Sequence, residues 1–224
     1  MHAPPEKLAA LRHLLAARFP TAPRAAARAL RTGLPAIDDA AGGLPLGALT
    51  EFACTAPSCG SHLLLAQLLA ATRAARTRAA LVDTADAFDP ASFPADLLAH
   101  LVWVRCPPRT ASPPHSALAD ARAATDLLAR DANLTLVILD LRHAPDRELR
   151  RTPATLWYRL QRAVAPADLA LVVLTPRATV PSAQLRFTLA TSHPAAALAA
   201  ARPVLATALA PALERQRLPA ALAG

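Results

Sequence analysis

Eight residues, Thr55-Ala56-Pro57-Ser58-Cys59-Gly60-Ser61-His62, occupy the place of a phosphate-binding loop, between a predicted apolar strand and a predicted helix. Such a loop needs small residues, so that successive backbone N–H groups converge on phosphate. It also needs a lysine for the outer phosphates and a hydroxyl for magnesium. Gly60 is present, but Ser61 stands at the lysine position and His62 at the hydroxyl position. Pro57 removes an N–H donor. The candidate nucleotide contacts are Thr55, Ser58, Gly60, Ser61, His62 and, from a later strand, Asp140. One carboxylate with no lysine cannot assemble phosphoryl transfer. The site reads as vestigial: no catalytic residue and no cofactor are expected, with residual ATP binding the alternative.

Other reactive residue types give weaker patterns. Cys54, Cys59, His62 and Cys106 match no common zinc spacing, and three cysteines make no disulfide framework. The cysteines are therefore expected to be small buried apolar residues, and no metal is expected. Ser61 and His62 are adjacent at a helix start and do not form a nucleophile–base pair. His115 and His143 fall in Pro-rich or charged segments and read as surface residues.

The elements that must position these groups alternate along the chain. Apolar runs at Ala48–Cys54, Ala79–Val82, Leu101–Val104, Leu134–Leu139 and Leu169–Leu174 read as strands, and Gln184–Leu189 as an alternating edge strand. Helical spacing occupies Ser61–Arg76, Ser116–Arg130 and Pro153–Val164. The class is α/β: a mostly parallel twisted sheet flanked by helices. Residues 1–31 read as a helical arm and linker, 32–192 as the core, and 193–224 as an Ala/Pro-rich segment. In the arm, Leu8, Leu11, Leu15 and Phe19 share one face of a helix over 5–19, suited to self-association or to docking on a partner or the core.

The net charge of +8 favours acidic partners such as DNA. No apolar run spans a bilayer; the longest candidate, 195–213, is interrupted by Arg202, Pro203 and Pro211. The N-terminus lacks the succession of a signal peptide, so a cytoplasmic protein is expected.

The order of parts resembles RecA-like domains over residues 30–192. The resemblance rests on the lead-in Thr32–Ala53, the strand-end segment Val82–Pro90, the acidic strand Leu136–Asp140, and Leu171–Leu174 running on to Ser182–Phe187. It implies a RecA-like fold in which Ala85 stands at the catalytic glutamate position, with Asp83 or Asp86 as off-position substitutes. It also implies a loop one residue longer than the family pattern, with Thr55 at its first glycine position. Two loops would correspond to those lining the filament axis. They carry Arg142, Arg147, Arg150, Arg151 and Arg177, the candidate DNA contacts. Among degenerate members the chain looks most like the ImuA group of translesion-synthesis accessory proteins. That implies a role in the bacterial DNA-damage (SOS) response, with partners in a mutagenic-repair polymerase complex or a RecA-type protein. The alternatives are a SulA-like cell-division inhibitor and a divergent ATP-dependent recombinase.

Overall fold

The computed structural model describes residues 28–107 and 116–217. The arm helix expected over 5–19 and His115 lie outside the described residues. The chain enters through a short antiparallel pair, β1 (Ala29–Leu30) with β2 (Leu44–Pro45), which brackets helix α1 (Pro35–Ala41). Asp38 fixes this lead-in: its carboxylate accepts the N–H and hydroxyl of Thr32 and the N–H of Gly33, each at 2.9 Å. Residues 28–31, grouped with the arm in the sequence, thus belong structurally to the core, where Leu30 is buried.

The main sheet is built from β3 (Ala48–Cys54), β4 (Arg78–Asp83), β5 (Leu101–Arg105), β6 (Leu134–Asp140), β7 (Ala170–Thr175), β8 (Leu185–Leu189) and β9 (Ala212–Gln216). Its seven strands run in the order β5-β4-β6-β7-β3-β8-β9, parallel except for β9. The architecture is α/β, as the alternation of elements implies. Between strands lie α2 (Ser61–Ala74), α3 (Ala95–Leu98), α4 (Ala117–Leu128), α5 (Asp146–Arg151), α6 (Ala154–Val164) and α7 (Arg202–Thr207).

Alternate residues of the central strands feed two cores. On one face Leu136, Ile138, Val172 and Leu174 pack with Leu64, Leu65, Leu68 and Leu69 of α2. On the other, Val137, Leu139, Leu171 and Val173 pack with Leu118 of α4 and Trp157 and Leu160 of α6. This two-sided burial is why β6 and β7 are continuous apolar runs instead of alternating ones. Each fully buried leucine of α2 contributes roughly 1.5–3 kcal/mol relative to exposure, enough in sum to hold the helix against the sheet.

One expectation changes. Gln184–Leu189 is not an edge: β8 lies between β3 and β9, with Leu185 opposite Gln216 and Thr188 opposite Ala212. Residues 193–217 contribute that covering strand and α7. Charged and polar residues on β9, such as Glu214 and Arg215, suit an outermost strand, where they discourage pairing with a further chain.

The parallel register aligns the carboxyl ends of four strands. Asp83 lies opposite Asp140, Asp140 opposite Leu174, and Leu174 opposite Phe52. The connections leaving β3 and β7 run in opposite directions across the sheet. A crevice at the carboxyl ends of the strands follows from that reversal.

Candidate functional site

The segment Thr55–Gly60 leaves β3 at this crevice and turns into α2. Ser58 sits in the left-handed region (φ 51°), and Gly60 caps α2 with φ 80°. Gly60 has a second constraint: a Cβ there would lie 2.4 Å from Leu209 Cδ2 and 3.0 Å from His193 Nε2. The C-terminal segment therefore packs directly on the loop. His193 N–H donates to the Ser58 carbonyl (3.0 Å) and the Ser192 hydroxyl to the Pro57 carbonyl (2.7 Å). A cavity of about 940 Å³ remains between loop and strap, lined among others by Cys59, His62, Arg142, His143 and Arg202.

The cation at the heart of this site comes from an unexpected place. Arg142 turns back from the end of β6 and forms a two-toothed ion pair with Asp140. Its Nε lies 2.9 and 3.1 Å from the two carboxylate oxygens, and Nη2 lies 2.5 Å from Oδ2. Nη1 donates to Ser61 Oγ at 2.5 Å. Both side chains are nearly sealed, at 8% and 5% exposure. Burial works against the arginine's charge, yet the hydrogen bonds and attraction of Asp140 hold its pKa above the ordinary value. All three guanidinium nitrogens thus donate to protein groups, and the Asp140 carboxylate is engaged by an organic cation.

Of the residues singled out for nucleotide, Ser61 and Asp140 are brought together, but through Arg142. Ser58 and Gly60 line the cavity, while exposed Thr55 is tied to the β8 end through its N–H to the Leu189 carbonyl (3.0 Å). His62 lies at the rim; desolvation of its ring and then the Arg142 charge lower its pKa, so it is neutral at pH 7. Asp83 does not face the cavity: its carboxylate accepts the N–H groups of Ala85, Ala87 and Phe88 at 2.8–3.2 Å. Asp86 pairs with Arg105 at 2.6 Å, and Ala85 brings no acid–base group.

The five arginines proposed for DNA do not form one outward-facing set. Arg142 is inside the site just described. The segment expected as a loop carries α5, in which Arg147, Arg150 and Arg151 are exposed. Asp146 holds Arg150 (2.7 Å) and Arg177, and those two hydrogen-bonded partners push its pKa below the usual carboxylate range. Among the described residues, only Arg147 and Arg151 of this group make no ion pair.

Sequence reasoning missed four contributors. Ser192, His193 and Leu209, which press on the loop, lie in Ala/Pro-rich stretches with no periodic signal. Glu51 did carry a signal, as a charge inside an apolar strand. It is fully buried and accepts the Thr175 hydroxyl (3.0 Å), the N–H groups of Thr179 (2.6 Å) and Val180 (3.0 Å), and Arg186 Nε (2.6 Å). It thereby pins the loop after β7.

The same reading made Cys54 and Cys59 small buried apolar residues; Cys59 is buried and Cys54 partly exposed. Both line the cavity, and their thiols interact. The hydrogen bond from Cys54, aided by the Ser61 N–H, outweighs burial and lowers the Cys59 pKa to about 6; the Cys54 thiol is pushed up in return. Among the described residues no group of His, Cys, Asp and Glu could hold a metal ion, and no helix is long and apolar enough to cross a membrane. No family model matches this chain, and no curated protein matches it.

Proposed function

We propose that this chain is a RecA-like domain whose triphosphate site has been converted into an internal structural contact, and that it serves as a non-catalytic accessory protein. The supporting observation is the Arg142 guanidinium held between Asp140 and Ser61. A bound nucleotide needs an accessible cation for its outer phosphates and a carboxylate able to engage magnesium. Here the two charges satisfy each other. A strap over the loop and Ala85 at the position of the catalytic glutamate are in keeping with the same reading.

Within that class, the lead-in Thr32–Ala53 and the missing lysine favour the ImuA group. The role is then in the bacterial DNA-damage response, supporting translesion synthesis through contacts with a polymerase assembly or a RecA-type protein. DNA contact, where it occurs, falls to exposed arginines such as Arg147 and Arg151, which present planar donors suited to phosphate.

Chromosomal deletion in the source bacterium tests this reading. Damage-induced mutation frequency should fall, and both the wild-type gene and Ser61→Ala should restore it, because no step uses that hydroxyl on phosphate. An unchanged mutation frequency would overturn the repair role. Division arrest on overexpression would instead support a SulA-like inhibitor, and turnover of ATP by the purified chain a divergent recombinase.

A further inference from the structure

The cavity between loop and strap has the capacity of a small-molecule site, about 940 Å³, but not the chemistry of a triphosphate pocket. Its walls are largely apolar. Leu63 and Ala66 of α2, Phe93, Pro176 after β7, and Ala197 and Leu205 of the strap all contribute. Among the described residues no aspartate or glutamate lines it, whereas two arginines and three histidines do.

The two arginines differ in what they have to offer a ligand. Arg142 is engaged by Asp140 and Ser61, so its charge is balanced inside the protein. Arg202 is exposed at the start of α7 and makes no ion pair or side-chain hydrogen bond with any described residue. The cavity thus sets one uncompensated positive charge against apolar walls, with the rings of His62, His143 and His193 as further hydrogen-bonding groups. Hydrocarbon between those walls is removed from water. One anionic head group at Arg202 adds a charge-assisted hydrogen bond. A polyphosphate would bring several negative charges to a single available cation and little hydrocarbon to the walls.

We propose that this cavity binds an amphiphilic organic monoanion, an apolar body carrying one carboxylate, with its head group on Arg202 and its body between α2 and the strap. The choice of ligand rests on the reading that the site no longer takes triphosphate. A molecule seated there touches Leu63 and Ala66 on one side and Ala197 and Leu205 on the other, so it ties the strap to the core.

The test titrates the full chain with octanoate, and with octanamide, which has the same chain and no charge. Octanoate should saturate with a Kd of about 1 mM or lower. Octanamide should bind more weakly, on the order of tenfold. Arg202→Gln should bring the two ligands to equal affinity. Ala200→Trp, which adds an indole to the wall from an exposed position, should weaken both. Should a variant fail to fold, hydrogen exchange of the wild-type chain decides: octanoate should slow exchange within residues 58–66 and 193–205. Absence of saturable octanoate binding in the millimolar range would overturn the proposal. So would equal wild-type affinity for the two ligands, a preference that survives Arg202→Gln, unchanged binding in Ala200→Trp, or protection confined to other parts of the chain. Binding of magnesium-ATP would instead overturn the non-catalytic reading, whatever octanoate does, so the two failures are told apart.

Discussion

Replacing Arg142 with alanine puts the buried ion pair directly to the test. The substitution leaves the Asp140 carboxylate, 5% exposed, with the Arg142 backbone N–H at 3.1 Å in place of a guanidinium. Breaking a buried pair by removing one partner costs about 3–5 kcal/mol, because the remaining charge is stranded. In a domain of this size each kcal/mol lowers Tm by about 2–4 °C, so Arg142→Ala should melt roughly 6–20 °C below the wild type. Removing both partners, Arg142→Ala with Asp140→Ala, takes the stranded charge away. The double variant should therefore be less destabilised than the sum of the single ones, with a coupling of about 0.5–3 kcal/mol. Urea unfolding of all four proteins, followed by far-UV circular dichroism, supplies the cycle. An Arg142→Ala variant within 1 kcal/mol of wild type, or strictly additive single costs, would refute the reasoning. Either would mean that the pair is solvated and the site open.

Other substitutions probe the elements around it. Glu51→Ala removes the acceptor for the Thr179 and Val180 amides and strands Arg186, which is 12% exposed. It should cost about 3–5 kcal/mol, with faster amide exchange at those two residues. Gly60→Ala places a methyl against Leu209 and His193 as well as forcing a left-handed φ. Gly42→Ala, also left-handed but with nothing within 4 Å of the added carbon, bears only the backbone strain of about 1–2 kcal/mol. The difference between the two variants in unfolding free energy, and in limited proteolysis near residues 190–209, measures the strap. At the cavity, iodoacetamide labelling of Cys59 should rise with pH through about 6, since the group reacts as its thiolate. Cys54, His62, Asp140, Arg142, His143, His193 and Arg202 are the other titratable groups around it. A midpoint at the ordinary thiol value would exclude the Cys54 and Ser61 hydrogen bonds as its cause.

The sheet's interior was legible because burial on both faces forces continuous apolar sequence, as in Leu134–Asp140 and Ala170–Thr175. Ser61–Ala74 was legible because its leucines recur at helical spacing. The outer strand β9 was not: Ala-Leu-Glu-Arg-Gln is short, polar on alternate positions and set in Ala/Pro-rich chain, so no local preference singles it out. At the site, the sequence showed a serine, Ser61, where a phosphate-binding loop carries lysine, and a carboxylate, Asp140, closing an apolar strand. It could not show that Arg142, two residues past Asp140 and 81 residues after Ser61 in the chain, would fill the space. That meeting depends on the register of β6 against its neighbours and on the turn that follows it. A surface loop was the simpler expectation for an arginine in a charged segment. The same holds for the cysteines, whose types and spacing carry little until β3 and α2 bring their thiols to one cavity.

Isothermal titration of the purified full chain with magnesium-ATP tests the central claim most directly. With the Arg142–Asp140–Ser61 contact in place, the account predicts no binding heat and no ligand-dependent rise in melting temperature at millimolar nucleotide. Saturable binding at micromolar concentration, abolished by Gly60→Ala or Asp140→Ala, would contradict it.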